Sequence, residues 1–232
     1  MFPLTDDMRP KRFPIVNTAI IAACFAVWIF YELPHLNSSV RGASLYACDV
    51  NGSCSSPLPS AVSWFTAMFM HASWSHILGN LWFLAIFGKN VEDSLGRLRY
   101  LAFYVAGGFA AALLQTATTL LAGTAADARV PVLGASGAIA AVLGAYWILY
   151  PGARILTIVG IFPIRIPAWV FLGGWFVYQL VEANAGLGSA GETGGTAFFA
   201  HVGGFVFGAA IAIALVRSGR RNGRFAPLQP AT

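Results

Sequence analysis

Charge is what this sequence has least of. Only 10% of its 232 residues are Asp, Glu, Lys or Arg, against 57% hydrophobic. A soluble domain carries about a quarter charged residues, so a water-soluble globule is excluded. Cysteine is scarce as well, with three in the chain and no CxxC spacing of the kind that holds zinc. No phosphate-cradling glycine loop or dinucleotide fingerprint is present. Neither a metal nor a cofactor is therefore expected. The inverted repeat of many transporters is also missing.

What the chain has instead is long apolar runs, and about 20 apolar residues cross a bilayer core as a helix. Six runs are found, at 14–31, 63–88, 98–122, 133–150, 167–183 and 197–216. The segment "ILTIVGIFPIRIP" (155–167) is apolar too, but Pro163, Arg165 and Pro167 interrupt it and it reads as an interfacial connector. The expected fold class is all-α, a polytopic membrane bundle of six transmembrane helices. Three parts follow: an N-terminal segment 1–13, a membrane domain 14–216 and a basic tail 217–232.

With six spans and both termini inside, twelve of the 14 Lys and Arg face the cytoplasm; Arg41 and Arg129 alone fall outside. That asymmetry is the positive-inside pattern and fixes the orientation. The formal charge of +5 thus reflects topology anchors, and no nucleic-acid partner is expected. The N-terminal basic residues and apolar run lack a small-residue cleavage site, so the run reads as a retained first helix. Cys24 lies in it. Cys48 and Cys54 share the first external loop, where an oxidising compartment would allow a local disulfide; two free thiols are the alternative.

Polar groups in hydrocarbon are costly and mark functional sites. Three places stand out: "HASWSHILGN" with His71, His76 and Asn80, "GASGA" with Ser136, and "FFAHVGG" with His201. Spans two, four and six run the same way, and Ser136 and His201 both come early in theirs. At 1.5 Å rise per residue, both lie about 5–10 Å below the outer surface. His76 and Asn80, spaced i, i+4, share a helix face. Gly204 and Gly208 form a GxxxG that lets helix backbones approach closely. Taken singly, Ser136 also suits backbone bonding and Asn80 interhelical contact, while Gln115 and Gln179 read as helix contacts. As a set at matched depth they point to chemistry: Ser136 as nucleophile, His201 as general base, and Asn80, His76 and the Ser136 N–H as oxyanion donors. Neither Glu182 nor Glu192 is placed to orient the base.

The motifs HxxxN (His76, Asn80), GxSG (Gly134 to Gly137) and HxxG with a further glycine (His201, Gly204, Gly208), in that order on spans two, four and six, resemble the rhomboid family of intramembrane serine proteases. The resemblance implies cleavage of single-span membrane proteins near the outer face, in lipid, with water as co-substrate. It also implies substrate entry past span five, where Trp175, Phe176 and Tyr178 are a gate or plain packing. Two departures stand out. The family's tyrosine four residues after the serine is Ala140 here, and the Trp-Arg pair of the first loop has no match. The glycine-rich loop 184–195 is a connector or a lid. A bacterial inner membrane is the expected location. The rival functions are an inactive client-binding relative and, further off, a transporter.

Overall fold

The computed structural model describes residues 2–185 and 197–221. Strand β1 (Phe2–Asp6) comes first, followed by α1 (Ile15–Val27). Helix α1 buries Asn17, Ile20 and Cys24, and the stripe continues at Trp28, the i, i+3, i+7 spacing of one helical face. It runs on through a π turn (Trp28–Glu32) and a 3-10 turn (Leu33–His35) into α2 (Leu36–Ala43). The expected first external loop is therefore partly helical. It also holds α3 (Ala47–Val50) and an isolated bridge from Leu45 to Val132, and Cys48 is joined to Cys54.

The second apolar run divides. Helix α4 (Ser60–Thr66) ends in a 3-10 turn, and the chain is extended at Met70. Helix α5 (Trp74–Phe83) begins only after Ser73, whose hydroxyl accepts the His76 N–H at 3.2 Å as an N-cap. A π turn (Leu84–Gly88) leads to α6 (Lys89–Leu95). Gly96, at φ 78°, ends α6 and opens α7 (Arg97–Ala122). Then come α8 (Ser136–Leu149), β2 (Arg154–Val159), β3 (Phe162–Pro167), α9 (Ala168–Ala185) and α10 (Phe198–Arg221).

Among the described residues, three helices are long and apolar enough to cross a membrane: Ile15–Ala43, Arg97–Ala122 and Phe198–Gly219. Two shorter apolar helices accompany them, Ser60–Phe69 and Ser136–Leu149. Helix α8 is apolar all round and buried from Gly137 to Tyr146, as a central helix must be. It packs against α7, α9 and α10.

The all-α expectation is corrected by a three-stranded antiparallel sheet in the order β1-β2-β3. Residues 155–167, expected as an interfacial connector, take the form of a hairpin. Gly160, at φ 64°, takes the first place of its two-residue turn, which needs a positive φ. Pro163 and Pro167 lie on β3, an edge strand, where a missing N–H is tolerated. Strand β1 pairs with the other side of β2, Phe2 opposite Ile158 and Asp6 opposite Ile155, so the N-terminal segment is part of the folded body.

Acidic side chains hold this end together. Asp6 accepts hydrogen bonds from Tyr146 Oη at 2.7 Å and Asn90 Nδ2 at 2.5 Å, and pairs with Lys89 at 2.9 Å. Burial pushes its carboxyl above the ordinary value of 3.8, with the Tyr146 and Lys89 hydrogen bonds opposing. Glu92 accepts the N–H groups of Val16 and Asn17 at the start of α1, and Asp93 those of Lys11 and Arg12. Anions at a helix N-terminus complement its unpaired donors.

Candidate functional site: a serine and a histidine at the heads of two parallel helices

Glycine contacts set the register of α8 and α10. A Cβ on Gly204 would collide with the Gly137 carbonyl, one on Gly208 with the Ala141 carbonyl, and one on Gly144 with the Phe205 carbonyl. Numbers rise together on both helices from Gly137/Gly204 to Ala141/Gly208, so the two run parallel with backbones in contact. Their heads therefore lie level. Gly137, next to Ser136, faces Ala200, next to His201, with a would-be Cβ 3.9 Å from the Ala200 Cβ. Ala140 belongs to the same contact, its Cβ 3.2 Å from that of a Cβ placed on Gly204.

Ser136 is the first residue of α8, so its N–H has no acceptor within the helix. Its approach is fixed by Gly134, whose N–H donates to Ala67 O at 2.8 Å and whose φ is 126°. That backbone favours glycine, and so does the space. A Cβ on Gly134 would stand 2.8 Å from His76 Nε2 and 3.4 Å from Ser136 Oγ. The His76 ring and the Ser136 hydroxyl thus border one methyl-sized point.

Hydrogen bonds assign roles to both imidazoles. The Ala72 N–H donates, at 3.4 Å, to His76 Nδ1. Nδ1 is then the acceptor, which leaves Nε2 carrying the proton towards Gly134 and Ser136. His201 has the opposite arrangement. Its Nδ1 lies 2.7 Å from Gln179 Oε1, and an amide oxygen only accepts, so Nδ1 carries the proton and Nε2 keeps its lone pair. The pair comprises one donor ring and one acceptor ring. Asn80 Nδ2 is buried with no hydrogen-bond partner among the described residues, a donor one helical turn after His76. No hydrogen bond joins Ser136 Oγ to His201 among the described residues; such contacts are often long before substrate binds.

Two glutamines read from the sequence as helix contacts support His201. Gln115 of α7 accepts the Ala200 N–H at 3.1 Å, capping the first turn of α10, while Gln179 holds the ring. Trp175 lies over the imidazole with centroids 5.9 Å apart, and Phe198 meets it edge-on at 6.3 Å. Of the three aromatics weighed as a gate, Trp175 and Phe176 pack on Phe205 of α10, whereas Tyr178 is exposed. The loop 184–195 lies outside the described residues beyond Ala185, as does Glu192.

Behind His76 lies a buried polar group that sequence reasoning did not foresee. Glu32 accepts the His71 N–H at 2.6 Å, and the His71 ring stands edge-on to His76 at 5.1 Å. Glu32 and His71 are 0% exposed. A charge of either sign there would be costly in hydrocarbon, so the signal was the bare presence of Glu32 in an apolar run.

A helical membrane bundle that brings a half-buried serine and a half-buried histidine level at the heads of two glycine-sealed helices defines the class of membrane protein to which this chain belongs. The chain belongs to the rhomboid family: the model described as "Rhomboid domain" matches residues 59–218. It is 34% identical over 201 residues to Rhomboid protein 1, mitochondrial, of Saccharomyces cerevisiae, covering 86% of this chain and 52% of that protein. It is 28% identical over 200 residues to the Presenilin-associated rhomboid-like protein, mitochondrial, of Bos taurus (82% and 46%). It is 34% identical over 143 residues to the Presenilin-associated rhomboid-like protein A, mitochondrial, of Danio rerio (60% and 34%). The chain therefore spans about half or less of these curated relatives. They overturn the expectation of a bacterial inner membrane, because each is a mitochondrial protein.

Proposed function

We propose that this chain is an intramembrane serine endopeptidase of a mitochondrial membrane, with six spans within 14–216, both termini on one side and the site opening to the other. The observation that carries this reading is the parallel register of α8 and α10, which sets Ser136 and His201 level across the Gly137–Gly204 contact. Family membership supports it.

Ser136 Oγ attacks the scissile carbonyl while its proton passes to His201 Nε2. The oxyanion meets the Ser136 N–H, Asn80 Nδ2 and His76 Nε2–H. Donors set in place before the reaction are worth most in a site of low dielectric. Collapse returns the proton to the leaving amine, and water hydrolyses the acyl-enzyme by the same route. The substrates are single-span membrane proteins. A helix hides its peptide bonds in i→i−4 hydrogen bonds, so cleavage requires local unwinding, which glycine and other small residues near the cut favour.

The alternative reading is an inactive relative that binds membrane clients. Reconstituted protein is mixed with a single-span test substrate, and Ser136 is probed with a fluorophosphonate. Cleavage and labelling by wild type, lost in Ser136→Ala and His201→Ala, are expected. No cleavage with no labelling gives the site to the client-binding reading.

A further inference from the structure

Helix α9 presents two unlike faces. Val177, Tyr178 and Val181 are exposed, whereas Leu172 and Gln179 are buried and Phe176 stacks on Phe205. Phe176 meets Phe205 and Gln179 meets His201, so α9 runs antiparallel to α10. A glutamine, 5% exposed, therefore stands in the apolar contact stripe. A leucine at that place would pack there without any polar group to satisfy.

We propose that Gln179 is a positioning residue for His201, so that the site works as a Ser136–His201–Gln179 set. Resting on the endopeptidase reading, this adds what a two-residue site lacks: a fixed proton position on the base. The Nδ1–H donates to Gln179 Oε1 at 2.7 Å, and the lone pair stays on Nε2, free to take a proton. During attack Nε2 takes the Ser136 proton and Nδ1 keeps its own, so the amide never changes protonation. A carboxylate would orient the ring too, but as a buried charge within the membrane it would cost more. The neutral amide orients without that charge.

Gln179→Leu, Gln179→Glu and wild type are compared for cleavage, thermal unfolding and the imidazole ¹⁵N spectrum of His201. Gln179→Leu lowers kcat by about 10–10²-fold with KM unchanged, the scale on which losing an orienting partner acts. Its unfolding temperature stays the same or rises. Gln179→Glu keeps an acceptor and retains more activity than Gln179→Leu although it is less stable. A packing role gives the reverse order. In the spectrum, wild type carries its proton on Nδ1 and Gln179→Leu shifts the tautomer. Wild-type kcat in Gln179→Leu, or an Nε2–H tautomer in wild type, overturns the proposal. If wild type neither cleaves nor labels at Ser136, the endopeptidase reading has failed, and the tautomer comparison still decides the role of Gln179.

Discussion

Gly204→Ala tests whether backbone contact between α8 and α10 holds the site together. Alanine is the better helix former by about 0.8–1.0 kcal/mol, so propensity alone stabilises. Against this, the new Cβ collides with the Gly137 carbonyl oxygen and stands 3.1 Å from its carbon and 3.2 Å from the Ala140 Cβ. None of these is the end of a flexible chain, so no rotamer change relieves the contact and the helices must separate. Overpacking of this kind costs about 1–3 kcal/mol, so the net sign is destabilising. Activity falls further than stability. A 1 Å misplacement of reacting groups costs about 10²-fold, and the contact lies one turn from both Ser136 and His201. The assay is thermal unfolding in micelles beside kcat/KM on the test substrate, with Gly174→Ala as control, since nothing lies within 4 Å of a Cβ there. The control is expected to match or exceed wild-type stability. A Gly204→Ala protein with wild-type unfolding temperature and activity would refute the close-contact reasoning.

Further outcomes are expected. Asn80→Ala lowers kcat by about 10²–10³-fold without lowering the unfolding temperature, because Asn80 Nδ2 has no hydrogen-bond partner to lose among the described residues. Replacing Cys48 and Cys54 by serine lowers stability by about 2 kcal/mol on the chain-entropy account of a short loop, while fluorophosphonate labelling of Ser136 persists. The folded chain binds the Asp6 proton more tightly than the unfolded chain. Its contribution to stability is therefore full below pH 3.8 and lost as pH rises through the raised folded value. Asp6→Asn flattens that part of the unfolding profile measured by thermal melts at successive pH values. Gln115→Ala removes the cap on Ala200 and costs about 1 kcal/mol, read as a lower unfolding temperature.

Long apolar runs were legible because their length exceeds what noise produces: 98–122 reads as a span and is helical as Arg97–Ala122. The start of the second run was not. Residues 63–73 are mostly apolar and read as part of one run, while α5 waits for the cap at Ser73, a signal present in "ASWSH" but masked by its neighbours. The hairpin was missed because Pro163, Arg165 and Pro167 were weighed as interruptions of an apolar stretch, while the β-branched residues flanking Gly160 are strand formers. For the site, the motif residues and the matched depth of Ser136 and His201 could be read from helix direction alone. The partners of His201 could not. A glutamine 22 residues before a histidine has no periodic relation to it, and only the antiparallel pairing of α9 with α10 sets Gln179 beside the ring.

The pairing of β1 with β2 joins residues about 150 positions apart in the chain. During synthesis the first strand thus waits, unpaired, until four apolar helical segments and the first half of the hairpin have followed it. Contacts of such high sequence separation close late, because the loop between them must be ordered first. The sheet is then a latch dropped onto a bundle already built. Interactions made after the rate-limiting step govern how fast a protein comes apart and leave its assembly rate alone. The short strand before the first helix accordingly sets the lifetime of the folded protein in the membrane.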